Sequence, residues 1–103
     1  MTKTYTVSYL PLFEQELQDT SDYISHKLRN PQAAARLVDA VEGAIMDRLP
    51  FAESFEPYRS AKERRYPYYR IDVGNYAIYY VVIDTVMEVR RLLYKGRNRA
   101  ALL

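Results

Sequence analysis

Residues 64–99 read RRYPYYRIDVGNYAIYYVVIDTVMEVRRLLYKGRNR, and this stretch, rich in tyrosine and arginine, decides the fold. The pair Gly74-Asn75 between two alternating segments is typical of a two-residue hairpin turn. Asp84-Thr85 predicts a second turn, followed by a third strand. The stretch therefore predicts three strands joined by short turns, and we expect the chemistry or recognition of the protein to lie on them.

The hairpin turn also assigns the strand residues to two faces. If Val73 pairs with Tyr76, the alternation of side chains along a strand fixes the other positions. The face expected to pack against a core holds Tyr69, Ile71, Val73, Tyr76, Ile78, Tyr80 and Val82. The opposite face is the expected working surface and holds Tyr68, Arg70, Asp72, Ala77, Tyr79 and Val81. In the third strand we favour Leu93 on the core face and Tyr94 on the working face, although a longer turn or a bulge would reverse them.

Upstream of residue 64 the pattern predicts one strand and two helices. Residues 4–10 alternate as a strand does, and Pro11 suits the first turn of a helix with an apolar stripe from Leu10 to Leu28. Asn30-Pro31 is a helix-start signal, and the second helix is expected to end near Leu49, before Pro50. The chain thus predicts a single α+β domain over residues 1–103 of order β-α-α-β-β-β, with a small, mainly antiparallel sheet and a helical hairpin on one face.

Composition limits the function classes. With 103 residues, no cysteine and one histidine, the chain predicts no disulfide, no thiolate nucleophile, no metal and no cofactor. No signal peptide or membrane span is visible, so we expect a cytoplasmic protein with no membrane partner. Residues 1–58 hold five Lys and Arg against nine Asp and Glu, whereas residues 59–99 hold ten against four. Such a basic C-terminal half suits RNA or an acidic protein, or is a solvated face without a ligand.

The element order, Asn30-Pro31 and the run GNYAIYYVVIDTVMEVRRLLYKGRNR (residues 74–99) together resemble the RelE/ParE superfamily of toxins from bacterial type II toxin–antitoxin modules. The resemblance covers nearly the whole chain. It is specific at the end, where RLLYKGR (residues 91–97) is similar to the closing "R-V-L-[YH]-G-R-R" signature of the family, displaced by one residue around the glycine. The resemblance implies the fold predicted above and an antitoxin that wraps around the protein.

The resemblance leaves three functions open. RelE-like members cleave mRNA in the ribosomal A site without metal, whereas ParE-like members bind DNA gyrase, and a degenerate member would bind its antitoxin without potent toxicity. The basic half of the chain slightly favours mRNA cleavage. Two family lysines correspond to Arg70 and Asp72, and a family arginine corresponds to Ala77, so only part of the RelE-type set is present. Arg97 matches a family arginine, and the tail tyrosine of the family has no counterpart in residues 100–103.

Candidate site residues follow from the faces and from the resemblance. Metal-free RNA cleavage needs a base, an acid and cations around the phosphate. The candidate catalytic residues are Arg70, Asp72, Tyr79, Tyr94 and Arg97. The candidate RNA-binding or target-binding residues are Arg64, Arg65, Tyr68, Arg90, Lys95 and Arg99. Apolar positions expected to be exposed, where an antitoxin helix would dock, are Val81, Leu92, Leu102 and Leu103.

Overall fold

The computed structural model describes residues 3–58 and 65–96 and has the predicted α+β architecture. Its elements are β1 (Thr6–Tyr9), α1 (Pro11–Asp22), a π-helical turn (Tyr23–Lys27), α2 (Pro31–Arg48), a 3-10 turn (Leu49–Phe51), β2 (Tyr69–Val73), β3 (Tyr76–Ile83) and β4 (Val86–Tyr94). The strand order is β1-β4-β3-β2, with β1 parallel to β4 and the other pairs antiparallel. No helix among the described residues is long and apolar enough to cross a bilayer.

The two helices begin and end close to the residues that the sequence predicts, except near the end of the first helix. Asn30 caps α2, since its side-chain oxygen accepts a hydrogen bond from the Ala33 N–H at 3.1 Å. After Asp22, α1 continues into the π-helical turn, where the Leu28 N–H donates to the Tyr23 carbonyl. The wider turn rotates the following residues away from the apolar stripe. The prediction that Leu28 packs inward is therefore wrong, and this side chain is 56 % exposed.

The hairpin of β2 and β3 has the predicted register. Val73 pairs with Tyr76, and Gly74 adopts a positive φ of 55°, which a glycine reaches without strain. Residues predicted for the core face lie in or against one apolar cluster with Phe13, Val41 and Ile45 of the helices. The face assignment of the hairpin is therefore confirmed.

A bulge in β4 reverses the sides of the sheet on which the following residues lie. Tyr79 of β3 pairs with Arg91, but the next residue, Tyr80, pairs with Val89, so Arg90 is an extra residue. Past the bulge Leu92 packs in the core beside the helices, and Leu93 lies in a second apolar cluster on the opposite face. The prediction that Leu93 faces the helices is therefore wrong.

Tyr94 is displaced by the same bulge. It pairs with Tyr76, and the two rings contact each other edge-on, with 5.7 Å between their centroids. Because Tyr76 packs against the helix-side cluster, Tyr94 lies on that side of the sheet too. The prediction that Tyr94 lies on the working face is wrong as well.

Glu16 holds the bulged part of β4 to α1. Its carboxylate accepts hydrogen bonds from the Arg91 guanidinium, the shortest being 2.8 Å from Nη2 to Oε2, and from the Leu92 backbone N–H at 3.1 Å. The side chains of Arg91 and Glu16 are only 17 % and 15 % exposed. The pair is therefore largely desolvated, and removing one partner leaves a charge with poor solvation.

The sheet is also buried on the face away from the helices. Ala77, Tyr79 and Val81 of β3 have no exposed surface, and the rings of Tyr58 and Tyr68 lie edge-on against Tyr79. A second apolar cluster therefore covers a face that the sequence predicts to be exposed.

We expect Glu16→Gln to lower the free energy of unfolding by about 2 kcal/mol, because it removes the charge that Arg91 and the Leu92 N–H depend on. Glu14→Gln is the matched control, since Glu14 is exposed on the same helix; it should change stability by less than about 0.5 kcal/mol. Urea denaturation measures both. Equal effects of the two variants would contradict this role of Glu16.

Tyr79 and Tyr80 make a second matched pair. The Tyr80 hydroxyl donates to the Ala52 carbonyl at 2.7 Å and accepts from Arg48 at 3.0 Å. The buried Tyr79 hydroxyl has no hydrogen-bond partner among the described residues. Tyr80→Phe should lower stability by about 1–2 kcal/mol. Tyr79→Phe removes an unsatisfied polar atom and should be neutral or stabilising by about 1 kcal/mol. A larger loss from Tyr79→Phe than from Tyr80→Phe in urea denaturation would refute this interpretation.

Candidate functional site

Three charged side chains meet on the sheet face away from the helices. The Arg70 Nε lies 3.2 Å from Asp72 Oδ1, and the Lys95 Nζ lies 3.5 Å from the same oxygen. The register brings them together, because Arg70 and Asp72 alternate along β2 and Lys95 follows the end of β4. Asp72 therefore balances one of the two cations, and the group keeps one net positive charge.

An open cleft of about 380 Å³ lies beside this group and is lined by Glu56, Pro57, Tyr58, Arg70 and Asp72. The Tyr58 N–H donates to the Tyr68 carbonyl, which fixes the loop along the edge of β2. The Tyr58 ring then lies between the Arg70 guanidinium, 5.7 Å from its centroid, and the buried ring of Tyr79. The cleft thus presents an arginine, carboxylates and an aromatic ring.

Arg90, the bulge residue, adds a second polar group to this face. Its Nε lies 2.8 Å from Glu88 Oε2, and its guanidinium carbon lies 5.9 Å from the centroid of Tyr68. Partial burial lowers the pKa of Arg90, but the hydrogen bonds to Glu88 and Tyr68 outweigh it and raise the pKa overall. Arg90 is thus a fixed cation whose charge is already matched by a carboxylate.

The structure brings together only part of the predicted catalytic set. Arg70 and Asp72 are in contact, with Lys95 of the predicted target-binding set as a third member. Tyr79 lies under Tyr58 and Tyr68 with no exposed surface, and Tyr94 is on the helix side of the sheet. Neither tyrosine is presented to solvent beside Arg70.

The other predicted residues divide into three groups. Arg65 is exposed, with its guanidinium carbon 5.4 Å from the centroid of Tyr66. Val81 and Leu92 are buried, so the prediction that they offer an exposed apolar surface is wrong. The predicted residues that lie outside the described part of the chain are Arg64, Arg97, Arg99, Leu102 and Leu103.

Sequence reasoning missed two features of the surface. One is the position of Tyr58 beside Arg70 and Tyr79. The sequence predicts only a loop pinned by Phe51, Phe55 or Tyr58, without a period that would assign the contacts. The other is a groove of about 440 Å³ between the helices, lined by Tyr9, Phe13, Glu14, Leu17, Glu42, Ile45 and Met46. The apolar stripes of α1 and α2 carried a signal for it, since the outer flank of two packed helices leaves a furrow between them.

Comparison with known proteins identifies the family. The family profile described as "ParE toxin of type II toxin-antitoxin system, parDE" matches residues 7–99. No curated protein matches the chain. Among solved structures, the "Chromosomal ParDE TA system from P. aeruginosa" superposes with a TM-score of 0.69 at 11 % identity, covering 88 % of this chain and 96 % of that one.

A second solved structure is the archaeal RelE-RelB complex from Pyrococcus horikoshii OT3, with a TM-score of 0.45 at 23 % identity, covering 92 % of this chain and 99 % of that one. At these identities the structural matches concern the fold alone, whereas the family profile spans nearly the whole sequence. The predicted place in the RelE/ParE superfamily is confirmed: the chain belongs to the ParE toxin family of type II toxin–antitoxin systems.

Proposed function

We propose that this toxin inhibits growth by binding a protein target, DNA gyrase being the target that the resemblance to ParE-like proteins implies, and that an antitoxin neutralises it. One observation carries the proposal. Each arginine of the described sheet already faces a carboxylate: Arg70 faces Asp72, Arg90 faces Glu88 and Arg91 faces Glu16. Arginines that are paired in this way have less charge available for an RNA backbone than unpaired arginines would.

The arrangement supports cleavage of mRNA less well. Cleavage needs an acid and a base beside the phosphate-binding cations. Of the tyrosines predicted for this role, Tyr79 is buried and Tyr94 is on the other side of the sheet. Asp72 is engaged by two cations, Arg70 and Lys95. Of the predicted acid and base candidates among the described residues, only Asp72 lies beside Arg70.

The same face has the composition of a protein-binding surface. Arginine and tyrosine are enriched among the residues that contribute most of the binding energy at protein interfaces. Arg70 lies near the Tyr58 ring, and Arg90 lies near the Tyr68 ring. Each of these arginines is also held by a carboxylate, so little side-chain entropy remains to be lost on binding.

Pulse labelling after induction tests the target. Thymidine incorporation should fall before methionine incorporation, and the purified toxin should inhibit supercoiling by gyrase in a reaction that contains no ribosomes. Early loss of methionine incorporation with cleaved mRNA would overturn the proposal in favour of the RelE-like mechanism. Normal growth with abundant folded protein would indicate the degenerate alternative.

Arg70→Ala tests the site. We expect at least a tenfold loss of growth inhibition, because the variant removes the guanidinium from the cleft and leaves Asp72 with Lys95 alone. The melting temperature should change by less than about 4 °C, since partly exposed ion pairs contribute about 0–1 kcal/mol. Arg36→Ala is the control, because it removes the same charge from an exposed position of α2. Equal toxicity of the two variants would place the target-binding surface elsewhere.

A further inference from the structure

The helical layer carries a groove that the proposed target-binding face does not use. Its floor is apolar, since Phe13 is 2 % exposed, Ile45 has no exposed surface, and the rings of Tyr9 and Phe13 stack at 5.7 Å. The rim includes Met46, which is 52 % exposed. A furrow of this size between two helices has room for a large apolar side chain of a partner.

Two carboxylates flank the groove, one from each helix. Glu14 of α1 and Glu42 of α2 are exposed, and within the described part of the chain neither side-chain carboxylate forms a hydrogen bond or an ion pair. Burial raises the pKa of Tyr9, and the negative charges of Glu42 and then Glu14 raise it further, so both charges act on the groove floor. The arginines of the sheet have carboxylate partners, whereas no described residue places a cation against these two carboxylates.

We propose that this groove binds the antitoxin, through a segment that inserts a large apolar side chain between the helices and places lysine or arginine beside Glu14 and Glu42. Charge complementarity selects this occupant: an apolar segment alone would leave two carboxylates beside a low-dielectric interface, which costs free energy. An amphipathic helix with basic residues three or four positions from its apolar anchor supplies both contacts. The inference rests on the proposed antitoxin partner. It places the antitoxin-binding site in the helical layer, and not at Val81 and Leu92 as the sequence predicts.

The test measures binding to the polypeptide encoded by the small reading frame adjacent to the toxin gene. We expect Glu14→Gln/Glu42→Gln to raise Kd about tenfold and to weaken the salt dependence of binding, since it removes two rim charges. Asp19→Asn/Asp47→Asn is the control. It makes the same change in charge at exposed positions of the same helices that do not line the groove, and it should change Kd less than twofold.

A second pair of variants tests the apolar contact. Met46→Lys should weaken binding at least tenfold, whereas Leu12→Lys, at a position that is 50 % exposed and outside the groove, should not. Peroxide oxidation supplies a local readout without any substitution. Met46 should be protected in the complex, and Met87, which has no exposed surface, serves as the internal reference.

The possible outcomes distinguish failure of the groove assignment from failure of the proposed function. The groove assignment is wrong if the toxin binds tightly, neither Glu14→Gln/Glu42→Gln nor Met46→Lys weakens binding, and Met46 is still oxidised in the complex. The antitoxin would then remain the partner, bound elsewhere. No binding by the wild-type protein would overturn both. If Met46 is protected in the free toxin and deletion of residues 97–103 exposes it, the chain's own basic and apolar tail fills the groove, and the assignment to the antitoxin is wrong.

Discussion

The burial of β3 on both faces is the constraint on which the rest of the structure depends. Residues 77–81 of this strand have no exposed surface. Ile78 and Tyr80 pack under the helices, and Tyr79 and Val81 pack in the second cluster. A strand enclosed in this way cannot present side chains to a ligand. Among the described residues, recognition therefore has to use the edge strands, the ends of the other strands, the loops or the helical layer.

The same constraint pairs charged residues of the acidic and basic halves of the described chain with one another. The acidic half supplies Glu16, which α1 places against Arg91 of the basic half. Within the basic half, Asp72 and Glu88 lie beside Arg70 and Arg90. Arginines that flank a buried sheet need partners, because a partly desolvated charge without one is costly. The net charge of a segment is consequently a poor guide to the charge of a face.

Much of the fold could be predicted from the sequence because its signals are local. Asn30-Pro31 starts a helix through one side-chain hydrogen bond, and Gly74 sets the hairpin register through its positive φ. The bulge at Arg90 and the π-helical turn at Tyr23–Lys27 each shift the chain by one residue, and alternation patterns give no warning of such a shift. Leu93, Tyr94 and Leu28 were misplaced for this reason.

The candidate site could be predicted only in part. Alternation correctly placed Arg70 and Asp72 on the face away from the helices, and the structure joins them through an ion pair. It could not show that Tyr79 on the same face is buried, because strand period assigns a side chain to a face and says nothing about what covers that face. Tyr58 covers it from a loop, through a ring contact and a backbone hydrogen bond to Tyr68 that no periodicity encodes.

The two proposed surfaces lie on opposite sides of the sheet, which constrains how neutralisation would work. The cleft at Arg70 is on the face away from the helices, whereas the groove between Glu14 and Glu42 is in the helical layer. An antitoxin segment held in the groove does not contact Arg70. It would have to block the target by continuing around the sheet edge, or by its bulk, rather than by competing for the same residues. The groove would then supply affinity, and a different part of the antitoxin would supply inhibition.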